Sequence, residues 1–598
     1  MHSAVPPGFR AVADPRTSPA GTRIGWLEET PEGPTRLVVA RPDGTDRAVL
    51  GPPARRTPAT WGGTWSWCGE DSAVLLAADG ALVRVDLDGR VAEVCPADGS
   101  RRLGPVVSPD GRWVAYAAET AIEQRVAVVS IDGGRARSVS TADFAWDPAW
   151  SPAGDALAWH EWDHPDMPWD ASRIVVATFA DGVVGTAQVV AGGSAEQVGQ
   201  PRWSPDGARL AWVSDATGWL TVWVGGARGE DPYPLLSERF EAAEAPWGAG
   251  QRSFAWSPDG GAVAYCRNED GFGALCRAPV RSGPTATGDL VARAWHHGID
   301  WGPSGIVAVR SGARTPPRIV VHREDGGRLD LADGDPPGFS RDALVEPEVL
   351  RWGSGASEVS GLLYRPVGAA RPPVLVDCHG GPTGAATVRW IADVAELVAQ
   401  GWAVLRPNPR GSTGSGRARL RALDGAWGAA DVEDVVAGIE AVRARPDLDG
   451  DRVAIAGGSA GGMLALLVAL GRPDLVRACA VAYAVTDLRA LAEVEYRFEQ
   501  HYTERLIGRL PEDESVYVER SPISRASSLR VPTLMLHGDA DPVVPIEQTR
   551  AFASAARAAG APVEVHEYAG EGHGWSRPGT VADADARTAA FLARQVLA

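Results

Sequence analysis

Lysine is absent from this chain, and all 58 basic residues are arginine. With abundant Ala and Gly, that bias points to a GC-rich genome and not to a function. Cysteine is scarce. The six residues, Cys68, Cys95, Cys266, Cys276, Cys378 and Cys479, are scattered, and only Cys266 and Cys276 lie close enough for local pairing. Reduced, buried thiols are therefore expected in place of a disulfide framework. There is no surplus of positive charge: the net charge of −18 argues against a nucleic-acid partner, because phosphate binding needs a concentrated basic surface. No apolar run approaches the ~18 residues that would span a membrane. The opening MHSAVPPGFRAVADPRTSPAG also lacks a charged stretch followed by about 7–15 apolar residues. A cytoplasmic protein without a membrane partner is expected.

What is present is globular. Hydrophobic residues make up 44% of the chain and charged residues 22%, which excludes a disordered or fibrous chain. At 598 residues it exceeds one ordinary core, so two or more domains are expected.

From about residue 15 to 335 one phrase recurs, an aromatic or apolar residue followed by Ser-Pro-Asp-Gly or a variant and then an alternating strand. Clear copies are Val107-Ser108-Pro109-Asp110-Gly111, Trp150-Ser151-Pro152-Ala153-Gly154, Trp203-Ser204-Pro205-Asp206-Gly207 and Trp256-Ser257-Pro258-Asp259-Gly260. Weaker ones are Ser18-Pro19-Ala20-Gly21, Ser66-Trp67-Cys68-Gly69 and Trp301-Gly302-Pro303-Ser304-Gly305. Proline presets φ for a turn and glycine accepts the left-handed position that reverses the chain. Seven copies with a period of about 41–53 residues predict a seven-bladed propeller of four-stranded blades, over an open array of β-sandwiches. Many of the 23 tryptophans are then structural.

After about residue 345 short apolar strands alternate with helical stretches. Strands are predicted from Pro373 to Cys378, Trp402 to Leu405, Val453 to Ala456, Val531 to Leu536 and Val563 to Tyr568, with amphipathic helix at 432–444. This pattern implies a doubly wound, mostly parallel sheet. The predicted division is 1–338 for the all-β propeller and 339–598 for the α/β domain, with Asp333-Gly334-Asp335-Pro336-Pro337-Gly338 as the linker.

Gly457-Gly458-Ser459-Ala460-Gly461 follows the apolar run 453–456 and precedes an apolar helix, as a nucleophile elbow does. A nucleophilic Ser459 needs a base, a carboxylate to orient it and N–H donors for an oxyanion. Asp541, in Leu536-His537-Gly538-Asp539-Ala540-Asp541, is the expected orienter, with Asp539 shaping the turn. His573, flanked by glycines in Gly570-Glu571-Gly572-His573-Gly574, is the expected base, and His566 is a structural histidine inside a strand. The order Ser459, Asp541, His573 is the chain order of α/β-hydrolases. His379-Gly380-Gly381-Pro382 ends another strand and fits an oxyanion hole, in which a glycine N–H would join that of Ala460. His379 has no second His or Cys at metal-ligand spacing, so no metal is expected.

Taken together, these residues resemble one family, the prolyl oligopeptidase family of serine peptidases, in its acylaminoacyl-peptidase and dipeptidyl-aminopeptidase-like branch. The resemblance runs over nearly the whole chain. It is carried by His379-Gly380-Gly381-Pro382, Asn408-Pro409-Arg410-Gly411-Ser412-Thr413-Gly414, Trp427-Gly428 with Asp431-Val432-Glu433-Asp434, the Ser459 elbow, His537-Gly538 with Asp541 and Val544-Pro545, and Gly572-His573-Gly574. It implies Ser459, Asp541 and His573 as the triad, Gly381 and Ala460 as oxyanion donors, and a propeller that admits only small or unfolded peptides. Two departures bear on substrate preference: Ala460 stands where many members carry Tyr, and Pro409 precedes Arg410 where a Tyr is frequent.

In the dipeptidyl-peptidase branch a propeller Glu pair binds the free α-amine. Glu28-Glu29 is such a pair but reads as a solvated strand end. The aromatic and acidic insertion 160–170 offers Glu161 instead, either to a substrate amine or as part of an inter-blade loop. Glu499 is a second acidic candidate for the substrate pocket, and Arg410 a candidate for a substrate carbonyl. The expected activity is release of N-terminal residues from short peptides through an acyl-enzyme, on a short peptide or acylated amine, without a cofactor, by a monomer or a homo-oligomer. The alternative is an amide or ester hydrolase, or an acyl transferase, acting on a small metabolite.

Overall fold

A computed structural model describes residues 8–30, 33–56, 63–336 and 339–597. It divides into two compact units, one of Phe9–Gly312 with Pro316–Pro336, the other holding the chain from 339 onward.

The first unit is a β-propeller of seven antiparallel sheets, each built from consecutive strands. The sheets run 11–50, 65–95, 101–138, 144–193, 198–234, 254–293 and 295–333. Six have four strands. The fourth has five, because Val183–Val184 and Gln188–Gly193 both pair with Ser172–Ala180. The recurring phrase forms the turn between the first and second strand of a blade. In Ser108–Gly111 the Gly111 N–H closes on the Ser108 carbonyl (2.8 Å) at φ 73°, and Ser108 Oγ donates to Asp110 (2.5 Å). Ser204–Gly207 and Ser257–Gly260 repeat both bonds. Serine and aspartate in the phrase therefore satisfy the turn's polar groups, and glycine supplies the left-handed residue.

The tryptophan before the phrase joins one blade to the next. Its indole N–H donates to a carbonyl on the first strand of the preceding blade: Trp67 to Arg16 (3.0 Å), Trp150 to Val106 (3.2 Å), Trp203 to Ala149 (3.1 Å) and Trp256 to Arg202 (3.0 Å). A buried indole needs such an acceptor, which accounts for tryptophan recurring at this position.

The connection 235–253, between the fifth and sixth blades, reaches the first strands of the first, fourth, fifth and seventh. Arg252 donates to Asp14 Oδ1 (2.7 Å) and the Pro15 carbonyl (2.6 Å) of the first blade and to the Gly298 carbonyl (3.4 Å) of the seventh. The Gly250 N–H donates to Asp147 of the fourth (2.6 Å), and the Ser253 N–H to Gln200 of the fifth (2.9 Å). Asp14 also accepts from Gly63 (3.0 Å), whose carbonyl accepts from Gly104 of the third blade (2.7 Å).

The second unit is an eight-stranded sheet: β1 (Glu348–Ser354), β2 (Ser357–Tyr364), β3 (Val374–Cys378), β4 (Ala403–Asn408), β5 (Val453–Gly458), β6 (Ala478–Ala482), β7 (Thr533–Gly538) and β8 (Val563–Tyr568). Their order is β1-β2-β4-β3-β5-β6-β7-β8. The pairs β1–β2 and β2–β4 are antiparallel and every later pair is parallel. Helices Ala430–Arg443, Ala460–Gly471 and Ile546–Ala558 pack on one face around Val376, Ile455 and Met535; Ala392–Ala399 and Pro578–Leu592 pack on the other around Leu375, Ala454 and Leu534. This is the α/β-hydrolase fold. All six cysteines are free, so the Cys266–Cys276 pairing does not form. Among the described residues no helix is long and apolar enough to cross a membrane, and no group of three or more His, Cys, Asp or Glu is arranged to hold a metal.

Candidate active site

Ser459 stands between β5 and the helix Ala460–Gly471 at φ 56°, ψ −125°, a strained backbone that the surrounding packing holds in place. The two glycines of the elbow are dictated by close approach. A Cβ on Gly461 would lie 2.2 Å from the Cys378 carbonyl oxygen, and one on Gly457 would lie 2.4 Å from the Gly461 oxygen. The helix thus starts hard against the end of β3, which carries the His379–Pro382 turn.

Three strand-end loops converge here. His573 Nε2 lies 2.9 Å from Ser459 Oγ, and His573 Nδ1 lies 2.8 Å from Asp541 Oδ2. A carboxylate only accepts, so Nδ1 carries the proton and the Nε2 lone pair faces the serine hydroxyl. Asp541 Oδ1 accepts from the N–H groups of Val543 (2.8 Å) and Val544 (3.0 Å). Burial alone would raise its pKa, but hydrogen bonds from His537 and His573 and the nearby imidazole hold it well below the usual carboxylate range. Asp541 is therefore ionised throughout the neutral range.

Ala460 follows the serine directly, and Gly381 lies in the turn that ends β3. A Cβ on the adjacent Gly380 would sit 3.6 Å from Ser459 Cβ. Ala460 is the first residue of its helix, where N–H groups lack an intrahelical acceptor. No described residue accepts a hydrogen bond from the N–H of Gly381 or Ala460. His379 donates from Nδ1 to the Gly380 carbonyl (2.8 Å) and accepts at Nε2 from Ser412 (2.9 Å), joining this turn to the 411–414 loop. Burial lowers its pKa, so it is neutral here.

Four residues to which the sequence patterns assign no role complete the surroundings. Tyr483 (φ 39°) lies with its ring centroid 4.7 Å from that of His573, and its ring would meet any Cβ on Gly458 at 2.9 Å. It fills the space between elbow and imidazole. Tyr502 donates to Thr383 Oγ1 (2.7 Å) and accepts from the Thr383 N–H (3.2 Å), two residues beyond Gly381. His537 bridges Thr549 (2.7 Å), the Val544 carbonyl (2.9 Å) and Asp541 (3.3 Å). Glu571, fully buried, accepts from Ser576 N and Oγ and from Arg577, fixing the loop that carries His573.

The three candidate substrate residues differ sharply in what surrounds them. Glu161 faces Arg173 across an antiparallel pair, and its carboxylate accepts from Arg173 (2.8 Å) and from the Trp159 indole (2.6 Å). Its insertion folds inward, with Trp162 and Trp169 each no more than 1% exposed. The Arg410 guanidinium is held by Asp434 (2.9 Å), Glu433 (3.0 Å) and the Ala430 carbonyl (2.9 Å). Glu499 is half-buried and accepts from no described residue; burial and the neighbouring Glu495 push its carboxyl up to about 7. Glu28 and Glu29 pair with Arg47 and Arg56.

A hydroxyl, a correctly protonated imidazole, an ionised carboxylate and two free N–H groups on strand-end loops define a serine hydrolase site. Residues 387–597 match the model of the prolyl oligopeptidase family. The acylamino-acid-releasing enzyme of Sus scrofa is 32% identical over 216 residues, covering 34% of this chain and 29% of that protein. Dipeptidyl aminopeptidase BIII of Pseudoxanthomonas mexicana is 30% identical over 228 residues, covering 37% and 33%. The aligned stretch thus spans about a third of these relatives' own length. Over the full chain, a puromycin-hydrolyzing peptidase of Mycobacterium tuberculosis superposes with a TM-score of 0.85 at 28% identity, covering 100% of this chain and 97% of that one. Over residues 387–597 the chain is thus similar to the prolyl oligopeptidase family of serine peptidases.

Proposed function

We propose that the protein is a serine exopeptidase that releases N-terminal residues from short peptides. The observation that carries this reading is the Ser459–His573–Asp541 relay at 2.9 and 2.8 Å on a strained elbow. His573 Nε2 takes the Ser459 proton as Oγ attacks the scissile carbonyl. The tetrahedral oxyanion is received by the N–H groups of Gly381 and Ala460. The imidazolium then protonates the leaving amine, and water, deprotonated by His573, releases the acyl group. Asp541 keeps the imidazole in its productive tautomer throughout. We assign no substrate contact to Glu161 or Arg410, whose charged groups already have protein partners. The reading calls for no cofactor, nucleic acid or membrane, and for a cytoplasmic setting, which the free thiols support.

A second reading, hydrolysis of a small amide or ester, draws on the full-length similarity to proteins named for hydrolysing puromycin. One assay separates the two. Free aminoacyl, dipeptidyl and N-acetyl-aminoacyl amides of one chromophore are compared with a small ester panel, with Ser459→Ala as control. Exopeptidase action requires the highest kcat/KM on a free-amine or N-acetyl-aminoacyl amide and loss of turnover in the variant; preference for esters or non-peptide amides would establish the second reading.

A further inference from the structure

Asp541 is approached by two imidazoles. One belongs to His573; the other is that of His537, which stands near the end of β7 with its side chain fully buried. A carbonyl oxygen only accepts, so the contact of His537 Nε2 with the Val544 carbonyl (2.9 Å) puts the ring proton on Nε2. Nδ1 is then a lone pair, and the Thr549 hydroxyl donates to it (2.7 Å). Both partners thus select the same tautomer. The same Nε2 stands 3.3 Å from Asp541 Oδ2, the oxygen that accepts from His573 Nδ1 at 2.8 Å. Close packing brings these side chains together: a Cβ on Gly538 would lie 2.3 Å from the Glu571 oxygen, so the chain leaving β7 runs hard against the loop that carries His573.

One carboxylate oxygen therefore faces two N–H groups. During attack on the substrate His573 gains a proton, and the charge on Asp541 favours it there; a donor on the far side of that charge takes up part of its pull. His537 is such a donor. Against burial, which opposes its charge, Asp541 is kept ionised by His537 and by His573. The orientation of the carboxylate does not depend on His537, because Oδ1 is held by the N–H groups of Val543 and Val544. The other titratable groups around the relay have settled places. Tyr483 lies against His573, and burial with the charges of Asp393, Asp541, Asp377 and Asp585 keeps its phenol neutral. Glu571 is paired with Arg577, Glu567 with Arg550, and Asp539 accepts from the Gly570 N–H.

We propose that His537 is a positioning residue of the relay: its Nε2–H shares Asp541 Oδ2 with His573 and so keeps the base unprotonated to lower pH than Asp541 alone would. The inference rests on Ser459, His573 and Asp541 acting together, and not on which acyl compound they cleave. The sign follows from the sharing. Without the His537 donor more of the carboxylate charge faces His573, the imidazolium is favoured, and the acid limb of kcat/KM moves to higher pH.

Two substitutions divide the ring nitrogens between them. In His537→Gln the side-chain amide reaches the Nε2 position and still donates toward Asp541; in His537→Asn it stops at the Nδ1 position, keeps Thr549 as a partner and leaves Oδ2 to His573. For each variant and wild type, kcat/KM on an aminoacyl anilide and its N-acetyl counterpart is measured against pH, beside the rate at which a fluorophosphonate labels Ser459, with circular dichroism to establish the fold. The acid limb is expected to rise by about 0.5–1 pH unit in His537→Asn and to stay within about 0.2 of wild type in His537→Gln. Equal movement in both variants, no movement in a folded His537→Asn variant, or movement to lower pH would overturn the proposal. Magnetic resonance of wild type carrying isotopically labelled histidine reads the tautomer without any variant, and a His537 ring protonated at Nδ1 and bare at Nε2 would overturn it equally. Labelling of Ser459 that shows the expected shift in a protein that cleaves neither anilide would keep the role of His537 and reject the exopeptidase reading.

Discussion

Replacing Asp541 by Asn tests the relay at its least replaceable point. The carboxylate accepts four hydrogen bonds, two at Oδ1 from the Val543 and Val544 N–H groups and two at Oδ2 from His573 and, more distantly, His537. An amide has one oxygen to offer. If that oxygen stays with the two backbone donors, the Asn NH2 faces His573 Nδ1. The imidazole can relieve that clash only by moving its proton to Nε2, which then points a hydrogen at Ser459 Oγ and cannot act as base. Flipping the amide restores the productive tautomer but turns NH2 toward two backbone N–H groups that cannot adapt. Two buried donors left unmet cost about 2–6 kcal/mol. At about 1.4 kcal/mol per tenfold, the productive flip survives in roughly one molecule in 30 or fewer, and the limit is the ~10⁴-fold loss of kcat seen when a triad base holds the wrong tautomer. The assay is kcat on a chromogenic amide, with circular dichroism to establish that the fold is retained. A kcat fall of about 30-fold to 10⁴-fold with KM little changed is expected; a folded variant within tenfold of wild type would refute the tautomer argument.

Two other perturbations have outcomes that simple propensity does not give. Gly461→Ala should favour the helix by about 1 kcal/mol on propensity alone. Its Cβ, however, would fall 2.2 Å from the Cys378 oxygen and 2.5 Å from the His379 oxygen, so the helix must withdraw and carry Ser459 with it. A shift of ~1 Å lowers kcat by about 10²-fold, and wild-type turnover in this variant would contradict the close approach. In the propeller, burial pushes Asp147 up to about 6 from 3.8, against the Gly250 N–H it accepts. A raised carboxyl contributes stability that is complete below 3.8 and lost as pH rises through about 6. Asp147→Asn keeps the acceptor and cannot ionise, so the thermal midpoint of the variant relative to wild type should be higher at pH 7.5 than at pH 4; an offset that does not change with pH would disprove the desolvation of Asp147.

The features legible in the sequence are those whose signal is local. The propeller turns repeat because each copy satisfies its own backbone, with serine, aspartate and glycine within four residues of one another. Ser459, Asp541 and His573 each follow an apolar strand in a glycine-bearing loop, and the order of those loops carries the rest. The hairpin β1–β2 escapes the α/β pattern, although Gly355-Ala356 between two alternating runs is a two-residue turn signal that could have found it. Long-range partners leave no such trace. Glu161 reads as available until the strand register sets it opposite Arg173, and Arg410 until the fold brings Asp434, 24 residues on, against its guanidinium. Tyr502 and Thr383 are 119 residues apart, and nothing in either neighbourhood announces their pairing.

Among the described residues every blade of the propeller is closed within its own stretch of chain, and no strand is exchanged between the first and the last. In such a ring each blade would be held by its two neighbours alone, and stability would be a sum of neighbour terms, as in a solenoid. The connection 235–253 changes that accounting. By bonding directly to the first, fourth, fifth and seventh blades, and to the second and third through Asp14 and Gly63, it works as a keystone. A blade cannot loosen without disturbing contacts shared by blades on the far side of the ring. Unfolding of this unit is thereby made cooperative by a loop at its hub, where other rings depend on the seam at their rim.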